Sequence, residues 1–179
     1  RPSVTSVGIA ISMYMGLRIG EVCALQWKEI DLEKRVLTVS KTIQRVQCRT
    51  GSKQTKLIIT EPKSESSKRT IPIPDCLLPL LRRFKDNGEV YVVSGRKKPV
   101  EPRTMQYRFA KILHNADLPS FHYHSLRHLF ATRCVELGFD VKTLSEILGH
   151  SSVEVTLNRY IHSDMERKRT CMSLLSKCA

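Results

Sequence analysis

The chain has 179 residues, 41% of them hydrophobic and 26% charged, which fits one folded domain rather than a disordered polymer. Thirty Lys and Arg stand against 17 Asp and Glu, a net charge of +13, so a polyanion is the expected partner. No apolar run reaches the roughly 18 residues of a membrane span; the best, Val7 to Leu17, is interrupted by Ser12 and Gly16 and lacks the basic start and cleavage site of a signal peptide.

Residues 3–15 are predicted to form a helix opened by Pro2 and Ser3 and broken by Gly16. A short helix is expected from about Gly20 to Ile30, with Val22, Leu25 and Trp27 in the core. Arg35 to Ser40 alternates and is rich in β-branched residues, so it reads as a strand. Residues 41–56 are polar and basic, with a turn at Gly51-Ser52, and no strand is predicted there. Leu57 to Thr60 and Thr70 to Ile73 read as the two arms of one hairpin with its tip at Lys63 to Lys68. Beyond Pro74-Asp75 helices are expected near 75–86, 102–116, 124–137, 140–148, 152–161 and 164–177, with a short strand near 90–94. Gly88, Gly95, Gly138 and Gly149 fall where elements should stop. The expected fold is a single α+β domain, mostly helical, with a small three-stranded antiparallel sheet.

Six cysteines, at 23, 48, 76, 134, 171 and 178, form no C-x-x-C pair, so free thiols in a reducing compartment are expected. Between Lys41 and Thr70, eight Lys or Arg face two Glu, with no aromatic residue. That pattern favours contact with a duplex backbone over stacking on single-stranded bases. Arg45, Arg49, Lys53, Lys68 and Arg69 are the expected DNA contacts.

Four windows carry possible chemistry. On a helix over 124–137, His124, Arg127, His128 and Ala131 share one face, and Leu126, Leu129, Phe130, Cys134 and Leu137 the other, which is taken as the core side. An Arg and a His at a helix N-terminus suit a phosphate. Leu148-Gly149-His150-Ser151-Ser152 places His150 in a tight turn between helices, with Tyr160 about two turns into the next. Arg18 stands between glycines in Gly16-Leu17-Arg18-Ile19-Gly20-Glu21, where Glu21 can fold back on it. Lys63 is presented at the hairpin tip. His122, His124 and His128 lack a nearby carboxylate or cysteine, so neither metal nor cofactor is expected. Tyr14, Tyr107 and Tyr123 read as packing residues.

Taken in order, these windows resemble the tyrosine recombinase family of integrases and resolvases over about residues 5–163. Gly-Leu-Arg18-Ile-Gly-Glu21 resembles its first-arginine motif, and Pro62-Lys63-Ser64 to Pro72 its catalytic-lysine turn. His124-Ser-Leu-Arg127-His128 resembles its H-x-x-R box, although Ser125 stands where the family often has Asp. Leu148-Gly149-His150 and the later Tyr160 resemble its last two elements. Thr156 to His162 is similar to integrases of phages and conjugative transposons.

The resemblance implies a recombinase that cleaves and rejoins DNA through a 3′-phosphotyrosine, integrating or excising a mobile element. Tyr160 is then the nucleophile, Arg18 and Arg127 grip the phosphate, and His150 donates to it. His124 serves as base or relay and Lys63 as general acid, with Lys68 or Arg69 as rivals on the same hairpin. Glu21 holds Arg18, and His128 supports the helix. Double-stranded DNA is the implied partner, with the chain acting as a tetramer on DNA in the cytoplasm, bacterial or phage-encoded. The chain opens Arg1-Pro2 rather than Met, so it is read as a catalytic domain over 1–179 without the family's N-terminal DNA-binding domain. A tail helix over 163–179, apolar at Met165, Met172, Leu174 and Leu175, is expected to pack on its own domain or dock on a neighbour. A non-catalytic helical DNA-binding regulator and a type IB topoisomerase-like enzyme remain alternatives.

Overall fold

The computed structural model describes residues 2–47, 55–61 and 67–160, together with 165, 168, 169, 172 and 173. The central element is helix α1, Val4–Met15. Ser3 caps it reciprocally with Ser6, and Gly16 ends it in the left-handed region at φ 69°. A side chain at Gly16 would also collide with the Phe130 ring, whose Cδ1 lies 2.5 Å from the position of a Cβ. Val7, Ile11 and Met15 point inward, and α1 packs on α2 (Ile19–Ala24), α3 (Leu78–Phe84), α4 (Pro102–Asn115) and α5 (Ser125–Glu136). Helices α6 (Val141–Leu148) and α7 (Val153–Tyr160) pack together against α5 and carry a second, smaller apolar cluster with Ala131, Cys134 and Leu144.

The sheet departs from the expected hairpin. Strands β1 (Ile30–Asp31), β2 (Val36–Val39) and β5 (Arg69–Pro72) form the three-stranded antiparallel sheet, with Leu37 opposite Ile71. The other arm, β4 (Thr55–Thr60), pairs instead with β3 (Thr42–Gln47), inside the stretch for which no strand was predicted. The reason is burial: only Ile43 of β3 is fully buried, so the ribbon shows little apolar alternation to read. The expected strand near 90–94 is a turn, tied by single bridges of Tyr91 to Gln26 and Arg96. The expected helix over 20–30 stops at Ala24 and continues as a 3₁₀ turn, Trp27–Glu29, before β1.

The inward face of α5 is rotated from the expected one: Leu126 and Cys134 are buried and Phe130 half-buried as expected, but the rest differ. Arg127 and Ala131 are buried, while Leu129 and Leu137 are 55% and 62% exposed. A buried guanidinium with carbonyl partners outranks an apolar stripe in setting the rotation of this short helix. Leu129, Phe130, Leu137, Phe139 and Tyr14 instead line an apolar groove of about 470 Å³. Tyr123 packs as expected, with its hydroxyl bonded to Ser12 Oγ (2.9 Å) and the Gly8 carbonyl (3.1 Å), whereas Tyr107 is 71% exposed. Among the described residues no helix is long and apolar enough to cross a membrane, and Cys23, Cys76 and Cys134 are free thiols.

Candidate active site

The site is organised by the last turn of α6. Asp140 caps this helix by accepting from Thr143 N–H (2.8 Å), and Gly149 ends it at φ 64°. The last carbonyls of a helix lack intrahelical donors and carry its negative dipole end. Here three consecutive carbonyls each accept from a different arginine. Arg69 Nε donates to the Ile147 carbonyl (2.6 Å), Arg127 Nη2 to that of Leu148 (2.7 Å), and Arg18 Nη2 to that of Gly149 (3.0 Å). Segments 18, 69 and 127 are thereby drawn to one point.

Arg127 is 2% exposed and anchored a second time by Nη1 to the Gly16 carbonyl at 2.7 Å. Burial and the neighbouring Arg18 push its pKa down to about 9, so it stays charged at neutral pH. Arg18 keeps 38% of its side chain exposed beside a cavity of about 270 Å³ that Thr42, Gln44 and Thr60 help line. Its Nη1 donates to Glu21 Oε1 (2.9 Å), and its backbone N–H to Oε2 (2.8 Å). Glu21 is 4% exposed. Burial works against its charge, but hydrogen bonds and attraction from Arg69, then Arg18, hold its pKa below the usual carboxylate value.

His150 follows Gly149, 9% exposed, with Nδ1 2.7 Å from Thr156 Oγ1. Burial first, then Arg127 and Arg18, push it down to about 4, so its imidazole is neutral at pH 7. Thr156 is fully buried on α7, four residues before Tyr160. The Tyr160 hydroxyl lies 3.1 Å from His128 Nδ1, with the rings tilted at 5.7 Å. His128 in turn meets His124 edge to face at 4.6 Å. Burial and nearby cations lower both histidines: His128 and Arg127 act on His124, and Arg159 and Arg127 act on His128.

The expected residues Arg18, Glu21, Arg127 and His150 therefore lie together around the last turn of α6, and His124, His128 and Tyr160 form a chain of contacts between α5 and α7. Lys63, Arg49 and Lys53 lie outside the described residues, as does most of the expected tail; Met165 and Met172 are helical and exposed. Lys68 is exposed, and Arg45 is bound to Glu101 through Nε (2.7 Å) and Nη2 (2.9 Å).

Arg69 is placed where the sequence reading did not put it. Expected as a DNA contact or a reacting group, it is 7% exposed, with Nη1 and Nη2 each 3.0 Å from a Glu21 oxygen. The signal was available in the strand period: Ile71 and Ile73 face the core, and Arg69, two residues before Ile71, points the same way. Thr156, the partner of His150, was not singled out in the sequence, where it appeared only as the start of the segment Thr156 to His162.

With this geometry in place the chain can be compared with known proteins. A phage integrase family model matches residues 5–167. The chain belongs to the phage integrase family. It is 33% identical over 180 residues to a tyrosine recombinase XerC-like protein of Caldanaerobacter subterraneus subsp. tengcongensis, covering 90% of this chain and 46% of that protein. It is 30% identical over 182 residues to a prophage phiRv2 integrase of Mycobacterium tuberculosis strain H37Rv, covering 96% and 46%. The integrase-family chain thus spans about half the length of these relatives. The fold superposes on the Tn1549 transposon integrase bound to a circular intermediate DNA with a TM-score of 0.73 at 30% identity, covering 95% of this chain and 58% of that one. XerA recombinase, at 22% identity and a TM-score of 0.66, has the same fold.

Proposed function

We propose that this integrase-family chain is the catalytic part of a site-specific recombinase that cuts and rejoins duplex DNA, with Tyr160 as nucleophile. The observation that carries the reading is the convergence of Arg18, Arg127 and His150 on the end of α6, with the Tyr160 hydroxyl hydrogen-bonded to His128, next to Arg127. A phosphodiester entering beside Arg18 meets two guanidinium groups, each a fork that matches phosphate oxygens. The Tyr160 oxygen attacks phosphorus, a P–O bond to tyrosine forms, and the bond to the 5′-oxygen breaks. The phosphodiester energy is kept in the 3′-phosphotyrosine, and reversal by a 5′-hydroxyl rejoins the strand.

Negative charge growing on the non-bridging oxygens is met by Arg18 and Arg127. Neutral His150, with Nδ1 held by Thr156, is the proposed donor to the same oxygens through Nε2–H. His124, exposed at the start of α5, is the base or relay for the phenol proton. Lys63 is the proposed acid for the departing 5′-oxygen. Lys68, with Arg45, Arg49 and Lys53 from the basic stretch, contacts the duplex backbone. Assembly as a tetramer on DNA, tail docking in cis or on a neighbour, a cytoplasmic location and a role in moving a mobile element complete the reading.

The test is covalent capture. The chain is mixed with a random-sequence library of nicked duplexes, denatured, and any DNA that stays attached is sequenced. Wild type should yield adducts and Tyr160→Phe none. Adducts that persist in Tyr160→Phe place the nucleophile elsewhere, and duplex binding without adducts favours a regulator. Relaxation of a supercoiled plasmid without strand exchange favours a topoisomerase-like activity.

A further inference from the structure

We infer that Arg69 is a positioning residue for the phosphate site: it sets the orientation of Arg18 through Glu21 and the turn at Gly149, and does not itself touch DNA. The inference rests on the proposed function for its chemistry, but its geometry stands apart from it. Glu21 accepts from four donors, two on each oxygen. Arg69 supplies Nη1 to Oε1 and Nη2 to Oε2, while Arg18 supplies Nη1 to Oε1 and its backbone N–H to Oε2. The Arg18 side chain therefore bonds one carboxylate oxygen, whereas the Arg69 guanidinium bridges both and so holds the plane of the carboxylate.

Two further bonds lock Arg69. Nε reaches the Ile147 carbonyl (2.6 Å), and Nη1 also reaches the Ser67 carbonyl (3.1 Å). Its side chain lies against Gly149, where a Cβ would come 2.9 Å from Nη1 and 3.1 Å from Cδ and Cζ. Arg69 thus joins the start of β5, helix α2 and the turn that carries both the Gly149 carbonyl and His150. These are the elements whose spacing fixes where Arg18 points. Charge supports the division of labour. Glu21 offsets one of the three arginines, and Arg69 is the one whose guanidinium takes both of its oxygens. Arg18, the more exposed of the two, keeps its remaining donors for an incoming phosphate.

The experiment compares wild type, Arg69→Met, Arg18→Lys and the Arg69→Met/Arg18→Lys double variant. Single-turnover cleavage, duplex affinity and thermal midpoint are measured on a duplex captured above. Arg69→Met should cleave about 100-fold more slowly, the size of effect a misplaced catalytic group produces. Its duplex affinity should stay within about twofold of wild type, as for a group that acts on the reaction rather than on binding. In the Arg18→Lys background the same change should cost much less, because a lysine has no fork to orient. An unchanged rate, a loss of affinity in place of rate, or a full 100-fold loss on top of Arg18→Lys overturns the inference.

If Arg69→Met fails to fold with Glu21 left buried and charged, Glu21→Gln/Arg69→Met removes both charges. Slow cleavage in that folded variant supports positioning, and wild-type cleavage shows that Arg69 only neutralises Glu21. A readout without DNA separates the two readings. The Arg18 Nη protons of free wild type should give resolved resonances from hindered rotation, averaged in Arg69→Met. If wild type forms no adduct, the recombinase reading fails, and these resonances decide the inference: unchanged in Arg69→Met, they overturn it.

Discussion

Two positively charged regions of this integrase-family chain use the same residue types for different ends. Around the end of α6, Arg69 and Arg127 are buried and bound to main-chain carbonyls, with Glu21 between Arg69 and Arg18. On the β3–β4 ribbon and the start of β5, Arg45 and Lys68 are exposed, and Arg45 is held only by a surface carboxylate and Thr55. The comparison teaches that net charge says little about role. A guanidinium fixed by carbonyls has a defined direction and stabilises charge at one point, whereas one in solvent is screened and contributes a diffuse field.

The sharpest break in this comparison comes from truncating one residue of each kind. Arg127→Ala leaves the Gly16 and Leu148 carbonyls without their donor in the interior and should destabilise the fold by about 3 kcal/mol, abolishing cleavage. Lys68→Ala should leave the thermal midpoint unchanged and reduce the salt dependence of duplex binding by a slope of about 1. Calorimetry and salt titration check the pair.

Gly149→Ala should come next. Its φ of 64° disfavours a side chain, and the new Cβ would press on Arg69. A loss of about 2 kcal/mol is expected from the backbone alone, with slower cleavage as Arg69 is displaced; urea unfolding measures the first.

Acid provides a graded test. Burial and the arginines lower His150 to about 4, and His124 and His128 move the same way. The unfolded chain therefore binds more protons between about pH 6.5, the unperturbed histidine value, and the folded values. Stability from these groups is present above that pH and is lost as pH falls through the window; lowered Glu21 adds a loss of the same sign at lower pH. Thermal midpoints between pH 7 and 4 should fall, and by less in His150→Gln. The smallest effect is expected at Arg45→Ala, whose exposed pair with Glu101 should leave the midpoint unchanged.

How much of this was legible follows from what each residue packs against. Helix α1, with its Ser3 cap and Gly16 stop, was readable because its local signals agree with its burial. The proximity of Arg18 to Glu21 was readable because three residues make one turn. The partners of β3 and β4 were not, because strand pairing is set by tertiary contacts and this ribbon is half in solvent. The burial of Arg127 on α5 and that of Arg69 were missed for one shared reason. Both depend on main-chain carbonyls at 147 and 148 as acceptors, and carbonyls leave no trace in side-chain identity.

The three adjacent carbonyls of α6 have one more consequence. Since one short helical end accepts from Arg18, Arg69 and Arg127, fraying of that end would loosen all three together, leaving Arg127 on the Gly16 carbonyl and the other two on Glu21. The three guanidinium groups therefore share one point of support, and amide exchange at residues 147–150 would report its stability in the free chain.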